Sequence, residues 1–236
     1  MCQESWSVNR RNFLVAAGAS TLSAVVSQAA AGASKPVSEA AKSALARLKE
    51  GNRRFAEGKT RHAHKTTDWR RHLVGAQQPT ATLLGCSDSR VPPELVFDEG
   101  LGDLFVIRVA GNVVAPDVVG SLAYALEHLK TPLVVVLGHQ NCGAVTAAVD
   151  ALSDPAFRDV APIRDLVDLI EPGLKHVDMR LPSEKRVAAA VEANVRWSVR
   201  QLAEQPSCKK LLADEAGQLT GGVYELSTGL VRFLDG

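Results

Sequence analysis

Apolar positions along this chain fall into two kinds of run. Three short stretches, 80–85, 104–109 and 133–137, are apolar almost throughout and read as buried strands. Elsewhere apolar residues recur at helical spacing. Ala41, Leu45, Leu48 and Phe55 predict a helix over 38–57, with Ser38 as its N-cap, Glu39 in its first turn and Gly58 as its stop. Val118, Leu122, Ala125, Leu126 and Leu129 predict another over 117–130, behind Pro116. Residues 143–152, 162–171 and 183–204 give three more, and 222–226 and 230–234, joined through Ser227-Thr228-Gly229, read as a hairpin. The stretch 59–79, with His62, His64, Trp69 and His72, is polar and broken and reads as a solvated loop or arm. Strands alternating with helices predict an α/β fold: a mostly parallel central sheet covered by helices on both faces. Sites in such sheets gather beyond the carboxyl ends of the strands.

The first 33 residues follow a different pattern. Arg10-Arg11 is followed by an uncharged, moderately apolar stretch from Asn12 to Ser34, which contains Ala31-Gly32-Ala33. This reads as a twin-arginine-type signal peptide over 1–33, cleaved to leave one domain over 34–236 in the periplasm or an equivalent compartment. Gly18, Ser20, Thr21, Ser23 and Ser27 dilute the stretch, so no stable membrane span is expected once it is removed. The net charge is +1, without a long basic block, which argues against a nucleic-acid partner.

Of the four cysteines, Cys2 falls in the signal segment. The remaining three suit a disulfide framework poorly. Cys208 has no ligand-like neighbour and reads as a small buried hydrophobe. Cys86 opens Cys86-Ser87-Asp88-Ser89-Arg90 after the first strand, and Cys142 closes His139-Gln140-Asn141-Cys142 after the third. A His-x-x-Cys pair can reach one ion if the chain turns sharply, and Gly138 and Gly143 permit that turn. Cys86 then arrives from a neighbouring strand. Three protein ligands with an open fourth position are the catalytic zinc pattern. Asp88 can reach that fourth position, and Arg90 can hold Asp88 through a bidentate fork. While the pair holds, the metal can take water; when it breaks, Asp88 can close the site.

Cys86-Ser87-Asp88-Ser89-Arg90-Val91, the run Gly102-Asp103-Leu104-Phe105-Val106-Ile107-Arg108-Val109-Ala110-Gly111-Asn112, and Gly138-His139-Gln140-Asn141-Cys142-Gly143-Ala144-Val145 closely resemble the β-class carbonic anhydrases. The resemblance spans roughly residues 38–236. It implies one Zn2+ per subunit, held by Cys86, His139 and Cys142, with water or hydroxide as fourth ligand. It implies reversible hydration of carbon dioxide to bicarbonate and a proton. Asp88 would accept a hydrogen bond from the hydroxide, Arg90 would orient Asp88, and Gln77, Phe105, Tyr124 and the Gly143 N–H would line the substrate site. Ala110 stands where the plant pattern has valine, which leaves that wall roomier. The family's site lies at a dimer interface, so a homodimer or higher even oligomer is expected, with the helix over 38–57 as the arm. A carbonyl sulfide or carbon disulfide hydrolase would use the same ligands. A non-catalytic zinc- or bicarbonate-binding protein would not need Asp88 and Arg90, and a dithiol redox protein is disfavoured because no Cys-x-x-Cys occurs.

Overall fold

A computed structural model of the chain describes residues 37–154, 156–213 and 217–234. The segment read as a signal peptide, and Cys2 with it, lies outside them. In chain order the elements are α1 (Glu39–Ala56), α2 (Thr67–His72), β1 (Ala81–Gly85), α3 (Pro93–Val96), β2 (Leu104–Arg108), α4 (Pro116–Glu127), β3 (Leu133–His139), α5 (Gly143–Ser153), α6 (Ala161–Ile170), α7 (Ser183–Ala203), α8 (Pro206–Ala213), β4 (Gln218–Tyr224) and β5 (Val231–Leu234).

The continuous apolar runs are the central strands. Every residue of β1 and β3 is buried. Side chains alternate between the two faces. Leu83, Leu133, Val135 and Leu137 join Leu48 of α1 and Val96 of α3 on one face, while Leu84, Val134 and Val136 meet α4 to α8 on the other. The five strands lie in the order β2-β1-β3-β4-β5, all parallel except β5, which runs antiparallel to β4. Connections leave β1 toward β2 on one side and return to β3 on the other. The order therefore reverses between β1 and β3, and the crevice outside their carboxyl ends is where such sheets take ligands.

The N-cap at Ser38 forms, its side chain accepting from the Ala41 N–H at 3.1 Å. Three short helices, α2, α3 and α8, were not predicted, being too brief for a helical period to show. The strand ahead of the hairpin begins at Gln218 rather than at residue 222. Gly221 hides it: a Cβ there would stand 2.6 Å from Val195 of α7, so close packing removes the apolar side chain that would mark a strand.

The expected solvated arm over 59–79 is corrected in its first part. Asp98 accepts from the backbone N–H groups of Arg61 and His62, and from Arg54 Nε at 2.6 Å. Asp103 accepts from His64 Nδ1 at 2.7 Å and pairs with Arg47, while His64 stacks on Trp69 with centroids 4.1 Å apart. Two buried carboxylates thus pin the polar segment. Among the described residues no helix is long and apolar enough to cross a membrane.

Candidate metal centre

The site begins at two neighbouring strand ends. Cys86 follows β1 directly, and His139 is the last residue of β3. The chain then reverses at Asn141, whose φ is 55°, and Cys142 becomes the N-cap of α5. The turn therefore uses the left-handed tolerance of asparagine and not the freedom of Gly138 or Gly143, as the sequence suggested. Gly138 has another role. A Cβ there would sit 2.4 Å from Val195 Cγ2, so its absence lets α7 lie close against the end of β3.

One ligand atom from each of Cys86, His139 and Cys142 lies within 4.8 Å of the others, and all three residues are buried. This is the one such group among the described residues. The two sulfurs are 3.9 Å apart. Two thiolates each about 2.3 Å from a tetrahedral ion would stand about 3.8 Å apart. His139 Nδ1 lies 2.9 Å from the Gln140 carbonyl, which accepts its hydrogen and leaves the Nε2 lone pair free. Nε2 is buried and has no hydrogen-bond partner among the described residues. An unsatisfied buried nitrogen beside two thiols fits a metal ion, which would satisfy all three.

The thiols titrate as a pair. The hydrogen bond from Cys142 draws Cys86 down to about 4, against the opposing effect of burial, helped by His139 and by backbone N–H groups including that of Gly111. Cys142 is pushed up, first by that same hydrogen bond and then by burial. Two adjacent buried sulfurs cannot both ionise cheaply without a cation between them.

Asp88 stands at the rim, Oδ2 3.8 Å from His139 Nε2. Arg90 holds it through Nε to Oδ1 at 2.9 Å and Nη2 to Oδ2 at 2.7 Å, and adds its own backbone N–H to Oδ1 at 2.9 Å. The Arg90 guanidinium keeps the Asp88 carboxyl well below the usual carboxylate range, although partial burial opposes it. The expected fork is present.

Two further contributors lie in the 102–112 run but received no role from the sequence. Arg108, at the end of β2, donates from Nε to the Cys86 carbonyl at 3.0 Å and from Nη2 to the Asp88 carbonyl at 2.6 Å. It clamps the backbone of the motif from the next strand. The Gly111 N–H points at Cys86 Sγ from 3.3 Å. A cation after an apolar strand was legible, but its target was not.

The remaining expected residues are placed differently. Gly143 opens α5, one residue past Cys142. Gln77 is exposed between α2 and β1. Phe105 pairs in register with Thr82, four residues before Cys86, or roughly 13 Å along the strand. It meets Tyr124, ring centroids 6.1 Å apart, at the β2 edge of the sheet, where Tyr124 is 47% exposed. In one chain, then, Phe105 and Tyr124 gather along the edge strand rather than around the thiols.

An open α/β sheet with a Cys-His-Cys cradle at its switch point is the arrangement of an enzyme that can hold a metal ion by three protein ligands. Residues 81–231 match the carbonic anhydrase family model. Carbonic anhydrase 2 of Mycobacterium tuberculosis is 39% identical over 183 residues, covering 77% of this chain and 87% of that protein. The β-carbonic anhydrase CcaA superposes with a TM-score of 0.67 at 30% identity, over 82% of this chain and 89% of its own. One of two tetrameric β-carbonic anhydrases from Sordaria macrospora gives 0.66 at 26% identity, over 79% and 94%. The chain belongs to the carbonic anhydrase family, in its β class.

Proposed function

We propose that this carbonic anhydrase interconverts carbon dioxide and bicarbonate with a zinc ion held by Cys86, His139 and Cys142. The observation that carries the reading is the cradle itself: three donors within 4.8 Å, two of them sulfur, with an Arg-held carboxylate at the rim. Zinc bound there would supply Lewis acidity, which brings the pKa of a bound water down to about 7.

The protein's own groups do the rest. Asp88, kept ionised by Arg90, is an acceptor only. It would accept a hydrogen bond from the attacking oxygen and so orient that oxygen toward carbon dioxide. Arg90 also keeps Asp88 off the fourth ligand position. The Gly143 N–H, at the first turn of α5, offers a donor to the charge that develops on the product oxygen. Burial of both thiols excludes bulk water from the ligand side.

An even oligomer belongs to the same proposal. Among the described residues β2 has a strand neighbour on one side only, and such edges are normally covered. Two copies joined along β2 would cover Phe105 and Tyr124 and make Gln77, Phe105 and Tyr124 walls of a pocket shared between subunits. Export through the twin-arginine segment 1–33 is proposed on the sequence pattern alone. It is checked by the mass and the compartment of the mature chain.

The reading is tested by the metal-to-protein ratio and the carbon dioxide hydration rate of wild type, Asp88→Asn and Cys86→Ala. Carbonyl sulfide and carbon disulfide are assayed alongside. Zinc at one per chain, a carbon dioxide rate above both sulfur substrates, and a slow but zinc-loaded Asp88→Asn support it. Full activity in Asp88→Asn overturns the role given to Asp88.

A further inference from the structure

The buried face of α7 carries two polar residues among its apolar ones. Ala190, Val191, Val195 and Leu202 pack as expected, but Asn194 and Ser198 are buried with them. A buried amide is costly unless it makes a hydrogen bond. Asn194 uses only the nitrogen end of its amide. Its Nδ2 donates to the Gly111 carbonyl at 2.8 Å, while its Oδ1 is buried without a hydrogen-bond partner. What the side chain supplies is one donor, aimed at one peptide.

That peptide belongs to an unusual turn. Gly111 and Asn112 are both left-handed, with φ of 67° and 45°. Glycine and asparagine enter this region more readily than other residues, but they do so as single residues, and two in succession are uncommon. The holding groups are visible. Asn194 takes the Gly111 carbonyl, and Ser198, one helical turn on, takes the Asn112 carbonyl at 3.0 Å. Reversed in this way, the turn directs the Gly111 N–H at Cys86 Sγ, 3.3 Å away. A continuous path thus runs from α7 through one residue, Gly111, to a sulfur of the proposed cradle.

We infer that Asn194 is a positioning residue for the metal cradle: by holding the Gly111 carbonyl it fixes the left-handed conformation of that residue, whose own N–H, on the preceding peptide group, bonds the Cys86 sulfur, setting that sulfur's direction and tempering the charge it donates. The inference rests on the metal reading of Cys86, His139 and Cys142. Partners of this kind, one shell behind the ligands, typically change metal affinity by roughly 10–100-fold.

The test compares full-length wild type with Asn194→Ser and with Asn52→Ser as a matched control. Asn52 is also buried, and it bonds the carbonyls of Val96 and Gly229 and the N–H of Val231, away from the cradle. Zinc affinity is measured by competition with a chromophoric chelator, and cobalt(II) is loaded to read the thiolate-to-metal charge-transfer band. Asn194→Ser is expected to bind zinc roughly tenfold or more weakly and to move the band to lower energy, because a thiolate without its N–H is more electron-rich. Asn52→Ser should lose stability yet keep wild-type affinity and band. Ser198→Ala, a smaller change on the same turn, should move the band in the same direction by less, and it serves if Asn194→Ser does not fold. Unchanged affinity and band in the folded turn variants, or an equal loss in Asn52→Ser, overturn the inference. A wild-type chain that takes up neither metal overturns the cradle reading first, and this one with it.

Discussion

Arg90 grips Asp88 at both carboxylate oxygens, 2.9 Å from Nε to Oδ1 and 2.7 Å from Nη2 to Oδ2, and so sets where the carboxylate stands relative to His139. Replacing Arg90 by Gln removes the fork and frees Asp88 to swing. Arg90→Gln and Asp88→Asn are each expected to keep the metal and to lose about 10–100-fold in carbon dioxide hydration. Stopped-flow hydration rates with metal content on the same samples check this. A rate loss that tracks metal loss would mean that the pair acts on binding instead.

Metal removal should reach the fold as well as the activity. A metal that binds the native state alone stabilises it by linkage. Chelation is expected to lower the melting temperature of wild type and to leave Cys86→Ala unmoved, as calorimetry would show. The thiols report the same event. Burial pushes Cys208 up to about 11, so it should resist alkylation at pH 8 with or without metal. The Cys86–Cys142 pair, in which a hydrogen bond between the two sulfurs favours one thiolate, should become open to alkylation once the metal is stripped. Peptide mass spectrometry after timed iodoacetamide treatment distinguishes the three cysteines.

Gly138→Ala tests the packing behind His139. The added Cβ meets Val195 Cγ2 at 2.4 Å, so either β3, which carries His139, or Val195 of α7 must shift. Overpacking of this kind costs about 1–3 kcal/mol. Urea unfolding should show that loss, and zinc affinity should fall with it. The paired change Gly138→Ala with Val195→Ala should restore much of both.

Asp98 should carry a pH-dependent part of the stability. Burial raises its pKa, but the N–H groups of Arg61 and His62 and the Arg54 side chain outweigh that and hold it below its ordinary value. An acid whose folded pKa is depressed stabilises the fold above the unfolded pKa, about 3.9 for Asp, and loses that contribution as pH falls through the folded value. Asp98→Ala removes Arg54's buried partner and leaves it, among the described residues, Glu50 alone, 3.7 Å away, which costs up to about 3 kcal/mol near neutral pH. The gap to wild type should be full at pH 7 and should narrow below about pH 4. Denaturant titrations of both proteins across that range measure it. A gap that stays constant into acid would assign the loss to packing.

The strands and long helices were legible because their patterns are local. Continuous apolar runs marked β1 and β3, and the amphipathic spacing from Ser38 onward marked α1. β4 was clipped because Gly221 has no side chain to show, for a reason that lies on α7. The turn at Asn141 was assigned to glycines, since glycine is the commoner source of a sharp turn. The pinning of residues 59–66 was missed because Asp98 and Asp103 lie more than thirty residues further along the chain.

The sequence by itself determined the donors. Cys86, His139 and Cys142, with Asp88 and Arg90 at short fixed spacings, are legible as chemistry before any fold is known. Their strand-end contexts already imply one site, because residue type and local period survive in the linear order. Tertiary structure alone decided what surrounds them: two sulfurs 3.9 Å apart, Arg108 clamped on the motif from the next strand, and Asn194 reaching the Cys86 sulfur through Gly111. Those contacts join residues more than twenty positions apart. They arise from how α7 and the strands pack, and packing leaves no periodic trace in the chain that produces it.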